Sequence, residues 1–274
     1  MAGYFEDDAS DELTKDPIFK AVLEKSALAS QPTVSRFFNR MDEDTLKQFQ
    51  EISQILRKRI YSIQMPQAVI LDLDSTLLAA YGKQEGRAFN FHYRSNGYHP
   101  LVCYAGITGD LIKIQLRDGA ANFLQPILDE YLNDYPTIHL LLRGDSGFAT
   151  SDLYKQCEEN GTSYVIRLME NFIKESKSGF DFSAVSSHNR IVNANRVQVH
   201  ALAYNIFNWF RRLVLSAKMR KQRIDTVRLK LLKIATKVVH SARYITFKLC
   251  SSCPYKEEFY DTLSAIGKLN VQLE

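Results

Sequence analysis

Residues 68–74, AVILDLD, form an unbroken apolar run that follows Met65-Pro66 and ends on two acids, Asp72 and Asp74. A run of that length, bounded by a turn signal, reads as a buried strand. Side chains alternate along a strand, so acids two apart point to one face. Two carboxylates side by side repel, and a bound divalent cation is the usual way to keep both ionised. The chain is therefore expected to build a sheet that delivers acidic groups to one strand end.

Further strand-like runs follow in HPLVCYAGI, LIKIQLR, IHLLLR and SYVIRL, with helical stretches ANFLQPILDEYLND and SDLYKQCEEN between the later ones. Strands first in meander order, then alternating with helices, predict an α/β fold with a sheet of mixed direction and flanking helices. Residues 17–62 read as helices, giving an expected division into a helical segment 1–64 and a core 65–274. Within that segment SQPTVSRFFNR, entered through Pro32 and carrying Arg36 and Arg40, reads either as the recognition helix of a helix-turn-helix or as a capped surface helix. Beyond Met169 the chain reads largely helical through VQVHALAYNIFNWFRRLVLSAKMRK. A strand pair, LLKIATKVVHS and RYITFKLCSS, and a closing helix, YKEEFYDTLSAIGKL, follow.

The 274 residues, 45% hydrophobic and 24% charged, suffice for a soluble domain with a real core. The net charge of +4 says little, but its distribution is informative. Between Ser187 and Cys250 stand fourteen Lys or Arg and one acid, Asp225, whereas Tyr4 to Asp16 carries six acids and one Lys. A C-terminal segment of that kind suits a polyanion. Arg211, Arg212, Arg220 and Lys221, on and just after a helix whose other face holds Leu202, Ile206, Trp209 and Phe210, read either as candidate DNA contacts or as a solvated helix face. Four scattered cysteines make no disulfide framework, and the start is too acidic for a signal peptide. A cytoplasmic, nucleoid-associated protein with no membrane segment is the expectation.

A third acid, Asp145, ends the apolar run of LLLRGDSGF, where Gly144 and Gly147 permit a tight turn. Acids at strand ends of an α/β sheet face the crevice where ligands bind, although Asp145 also reads as a turn residue. Glu170, in MENFIKESKSGF, shares a helical face with Lys174 and Lys177. That trio reads either as an exposed Glu–Lys helix surface or as a metal-binding carboxylate backed by phosphate-receiving lysines.

On these residues the sequence resembles the bacterial DDE transposases, specifically the insertion-sequence group named IS thirteen-eighty. The stretches that carry the resemblance are DLDSTLLAAYGKQEGRAFNFHYRSNGYHPL, LLLRGDSGFATSDLYKQCEENGTSYVIRL, MENFIKESKSGFDF and NANRVQVHALAYNIFNWFRR, with LASQPTVSRF and SARYITFKLCSSCPY at the two ends. The resemblance implies a ribonuclease-H-like fold in which three acids hold two Mg²⁺ ions, with Mn²⁺ able to substitute. It assigns Asp74 of Asp74-Ser75-Thr76, Asp145 and Glu170 to the catalytic triad, and makes Asp72 either an auxiliary metal ligand or an acid that supports the ligands from behind. It also implies DNA as partner, both element ends and target, and a homodimer on paired ends.

The chain departs from the family in two places. Related enzymes set Tyr-x-x-Arg-x-x-x-Glu before the third acid, and here the Tyr and Arg places hold Ser163 and Ile166. They also carry a mostly β insertion where Leu168 and Met169 here run directly on, which reads as an internal deletion. The start, Met-Ala-Gly-Tyr, likewise reads as a shortened N-terminus. Two other readings stand beside an impaired transposase. One is a haloacid-dehalogenase-like phosphohydrolase, whose first motif VILDLDSTLL also fits and which would use Asp72 as nucleophile. The other is a transposase remnant that binds DNA without catalysis.

Overall fold

The computed structural model describes residues 9–90, 94–116, 121–166, 177, 179–180, 182, 184–240, 244–250 and 252–269. It divides into two compact units, one of residues 41–208 and one of residues 1–40 and 209–274. The division falls between Arg40 and Met41, inside the segment that reads as helical from the sequence.

In residues 1–40 lie α1 (Ala9–Leu13), α2 (Pro17–Val22) and α3 (Gln31–Asn39). Asp16 caps α2 by accepting from the N–H groups of Ile18 and Phe19, with Pro17 at the first helical position. The second helix stops at Val22, well short of the run that the sequence suggests.

The unit 41–208 opens with α4 (Glu43–Ile63), started by a capping box between Asp42 and Thr45. Then come β1 (Ala68–Ser75), β2 (Leu78–Ala80), β3 (Ala88–Asn90), β4 (Ser95–Tyr98), β5 (Leu101–Ala105) and β6 (Leu111–Gln115). The chain continues through α5 (Ala121–Asp134), β7 (His139–Gly144), α6 (Ser151–Glu159), β8 (Ser163–Ile166), β9 (Ala184–Val185) and α7 (Arg190–Leu213). The main sheet has the order β6-β5-β1-β7-β8. β1 is antiparallel to β5 and parallel to β7, and β7 is parallel to β8. This is the α/β arrangement, a mixed sheet with flanking helices, that the meander-then-alternating pattern predicts.

Along β1 the alternation is sharp: Val69, Leu71 and Leu73 are buried, while Ile70, Asp72 and Asp74 are half-buried. The buried face joins a core with Tyr61 of α4, Phe123, Leu124, Leu128 and Tyr131 of α5, and Leu153 and Cys157 of α6. Arg57 ties α4 to α5 through Glu130, with both side chains nearly sealed from solvent, at 1% and 7% exposure. Burying that ion pair is tolerable because its geometry is bidentate and Gln54 adds a donor.

The edge strand β6 is covered by side chains of α7. Asn205 accepts from the Leu111 N–H at 2.7 Å and donates to the Leu111 carbonyl at 2.8 Å. Gln198 donates to the Ile114 carbonyl at 2.7 Å, and Asn208 to the Thr108 carbonyl and the Asp110 carboxylate. An edge strand left bare would template pairing with another chain, and these amides satisfy it instead. A second, four-stranded sheet, β3-β4-β2-β9, was not foreseen from the sequence.

In residues 209–274, the end of α7 is followed by α8 (Ala217–Arg220), α9 (Ile224–Leu231), the hairpin β10 (Thr236–His240) with β11 (Ile245–Leu249), and α10 (Lys256–Gly267). The expected strand pair and closing helix are present, shorter at their ends than the sequence pattern suggests.

Candidate active site

The parallel pairing of β1 with β7 sets the site. Its register matches Asp72 with Arg143 and Leu73 with Gly144. Asp74, still within β1, and Asp145, the first residue beyond β7, therefore follow the last matched pair of two neighbouring strands. Asp74 is half-buried, and its Oδ1 accepts the Ser75 N–H at 2.7 Å. Asp145 leaves β7 through a tight turn in which its Oδ1 accepts the Gly147 N–H at 2.8 Å and its carbonyl accepts from Phe148. A Cβ at Gly147 would sit 3.0 Å from that Oδ1, so glycine leaves the carboxylate its room. The turn reading of Asp145 holds: its own side chain and carbonyl close the turn.

Asp72 shares the face of Asp74, as the alternation requires, but it is occupied differently. Arg143 donates from Nε to Oδ1 and from Nη2 to Oδ2 of Asp72, each at 2.6 Å. Those hydrogen bonds raise the pKa of Arg143 further above its usual value. The pair lies against the backbone of Gly106, where a Cβ would come within 2.6 Å of Asp72 Oδ2 and 3.2 Å of Arg143 Nη2. Both oxygens of Asp72 are thus engaged by the Arg143 guanidinium. The same pair removes the free nucleophile that the phosphohydrolase reading places at Asp72. Neither Arg143 nor Gly106 stood out in the sequence. The available signal was one cation within the apolar run IHLLLR, whose partner becomes visible only with the strand register.

Glu170 and Lys174 lie outside the described residues, as does the Leu168-Met169 junction, and Lys177 is half-buried. Among the described residues no three His, Cys, Asp or Glu side chains gather into a metal-binding group. Asp74 and Asp145 nonetheless suit a hard cation: Mg²⁺ takes oxygen donors, often only one or two protein carboxylates, and completes its shell with water and substrate phosphate.

The basic candidates separate by exposure. Lys221 and Arg220 are exposed at the end of α8, Arg220 also donating from Nε to the Leu215 carbonyl at 2.8 Å, whereas Arg211 and Arg212 are half-buried. The apolar stripe expected for α7 is also corrected. Trp209 is buried, Leu202 and Phe210 are half-buried, and Ile206 is 38% exposed. The face of the helix turned toward β6 is instead partly amide.

A family model described as transposase DDE domain group 1 matches residues 1–171 and 168–271. The chain belongs to this DDE transposase family. No curated protein matches it. Among solved structures the transposase is similar to the catalytic domain of Mos1 mariner transposase, at TM-score 0.32 and 8% identity, over 62% of this chain and 96% of that one. It is also similar to the Mos1 mariner paired end complex with Mn, at TM-score 0.31 and 11% identity, over 74% of each chain. No helix among the transposase's described residues is long and apolar enough to cross a membrane.

Proposed function

We propose that this transposase cuts and joins the ends of an insertion sequence of the IS thirteen-eighty group, with Asp74, Asp145 and Glu170 as the acids of its active site. The observation that carries the assignment is the β1–β7 register, which sets Asp74 and Asp145 at adjacent strand ends. These acids would hold two Mg²⁺ ions, with Mn²⁺ as substitute. Bound there, the metal supplies a lowered pKa for the attacking water or 3′-hydroxyl and charge stabilisation for the leaving oxygen. Asp72 and Arg143 hold the sheet end in register beside them. Arg211, Arg212, Arg220, Lys221, Lys174 and Lys177 are the proposed receivers of DNA phosphates, from element ends and target alike, in a homodimer on paired ends within the nucleoid. The family match in two segments that meet at residues 168–171 supports an internal deletion at Leu168-Met169 and hence an impaired enzyme.

The test is metal-dependent nicking of a plasmid. Asp74→Asn and Asp145→Asn should each abolish it in Mg²⁺ and in Mn²⁺, while Asp72→Asn retains part. Nicking that survives Asp74→Asn would overturn the assignment. DNA binding without any nicking by the parent chain would favour the non-catalytic remnant.

A further inference from the structure

The hairpin of β10 and β11 has two unlike faces. One carries the cross-strand pairs Lys237 with Lys248 and Val239 with Thr246; the other carries Thr236 with Leu249, Val238 with Phe247 and His240 with Ile245. A rung that sets two lysines directly opposite each other is unfavourable by itself, because like charges face one another at close range. Both lysines are exposed, and neither has an ion-pair partner among the described residues. Their neighbours are accounted for differently: Lys230 pairs with Glu258 at 3.3 Å and Arg228 with Asp225 at 3.4 Å. From Thr226 to Lys256 the chain has seven Lys or Arg and no acid. The chain thus places an uncompensated pair of ammonium groups on one face of a short two-stranded ribbon.

We propose that this ribbon face binds the phosphate backbone of duplex DNA, a contact surface apart from Arg220 and Lys221. The proposal rests on the reading that the chain acts on DNA. The complementarity is one of charge and size. A duplex carries a negative charge about every 1.7 Å of its axis, so two ammonium groups on flexible four-carbon stems find separate phosphates. A two-stranded ribbon also has the width that the major groove admits. Phosphate thereby supplies the countercharge that the hairpin lacks.

The experiment measures duplex binding by the full chain as a function of salt, using a fluorescent 30-base-pair duplex of arbitrary sequence. Each phosphate contact contributes about 0.9 to the slope of log affinity against log salt, so Lys237→Ala/Lys248→Ala should lower the slope by roughly 1.8. Lys237→Arg/Lys248→Arg should keep it. Thermal melting without DNA should be unchanged or higher for the Ala pair, since the repulsion is removed. If the Ala pair instead melts lower, Thr246→Glu decides: a carboxylate on the same face must weaken binding and flatten the salt dependence. Parent binding with an unchanged slope in Lys237→Ala/Lys248→Ala, or in Thr246→Glu where that variant decides, overturns the ribbon surface and leaves the active-site assignment standing. A parent that binds no duplex overturns the ribbon as well, and plasmid nicking then judges the active site separately.

Discussion

Asp72, Arg143 and Gly106 form a unit in which each residue explains the others. The carboxylate and guanidinium meet with two charge-assisted bonds at 2.6 Å, and the missing Cβ at position 106 gives them their place. Such bonds contribute more than ordinary surface ion pairs, which are worth about 0–1 kcal/mol, because the geometry is bidentate and both groups are partly shielded. Arg143→Met should therefore destabilise the chain by about 1–3 kcal/mol, read as a lower denaturation midpoint in urea. Gly106→Ala should have a comparable effect by a different route, forcing Asp72 off its partner. Stability unchanged in both variants would show that the pair is incidental. Asp72→Asn keeps the shape and one acceptor, so it should lose less than Arg143→Met.

At the scale of elements, the covering of β6 by α7 invites a direct test. Asn205 satisfies both the N–H and the carbonyl of Leu111, and the whole arrangement is buried. Asn205→Ala strands two backbone groups, each worth about 1–3 kcal/mol when left unpaired, so the stability loss should reach roughly 2–6 kcal/mol. A loss below 1 kcal/mol in a denaturant titration would mean that the edge finds other partners. The same residue shows where sequence reading reached its limit. β1, β5, β6 and β7 were legible because their apolar runs pack into the sheet, and β8 from its aromatic and β-branched residues, although Tyr164 and Val165 are exposed. The asparagines of α7 carried no signal of their own, since an amide that caps a strand edge looks in sequence like one that meets water. Leu78–Ala80 and Ala184–Val185 are too short to show any period, and they find each other only across about a hundred residues of chain. At the site, Asp74 and Asp145 were legible as strand-end acids. The engagement of Asp72 was not, because it depends on which residue of β7 lies opposite.

At the scale of the whole molecule, the two segments of the family match meet where β8 has just ended, at Ile166, and where Glu170 is about to be needed. Between Ile166 and Glu170 stand three residues. A helix beginning at Glu170, as the sequence suggests, leaves those three for a strand-to-helix connection that usually takes about 2–6. Asp74 and Asp145 do not depend on that connection, since each follows the last matched pair of β1 and β7. The expected result is a division of labour that mutation can expose. In the parent chain Asp74→Asn and Asp145→Asn should each weaken Mn²⁺ binding measured by calorimetry, while Glu170→Gln changes it little. Inserting a Gly-Ser-Gly-Ser linker between Leu168 and Met169 should raise Mn²⁺-dependent nicking and make it sensitive to Glu170→Gln. If Glu170→Gln already removes metal binding and nicking from the parent as fully as Asp74→Asn does, the direct junction already serves the third acid and the enzyme is not impaired there.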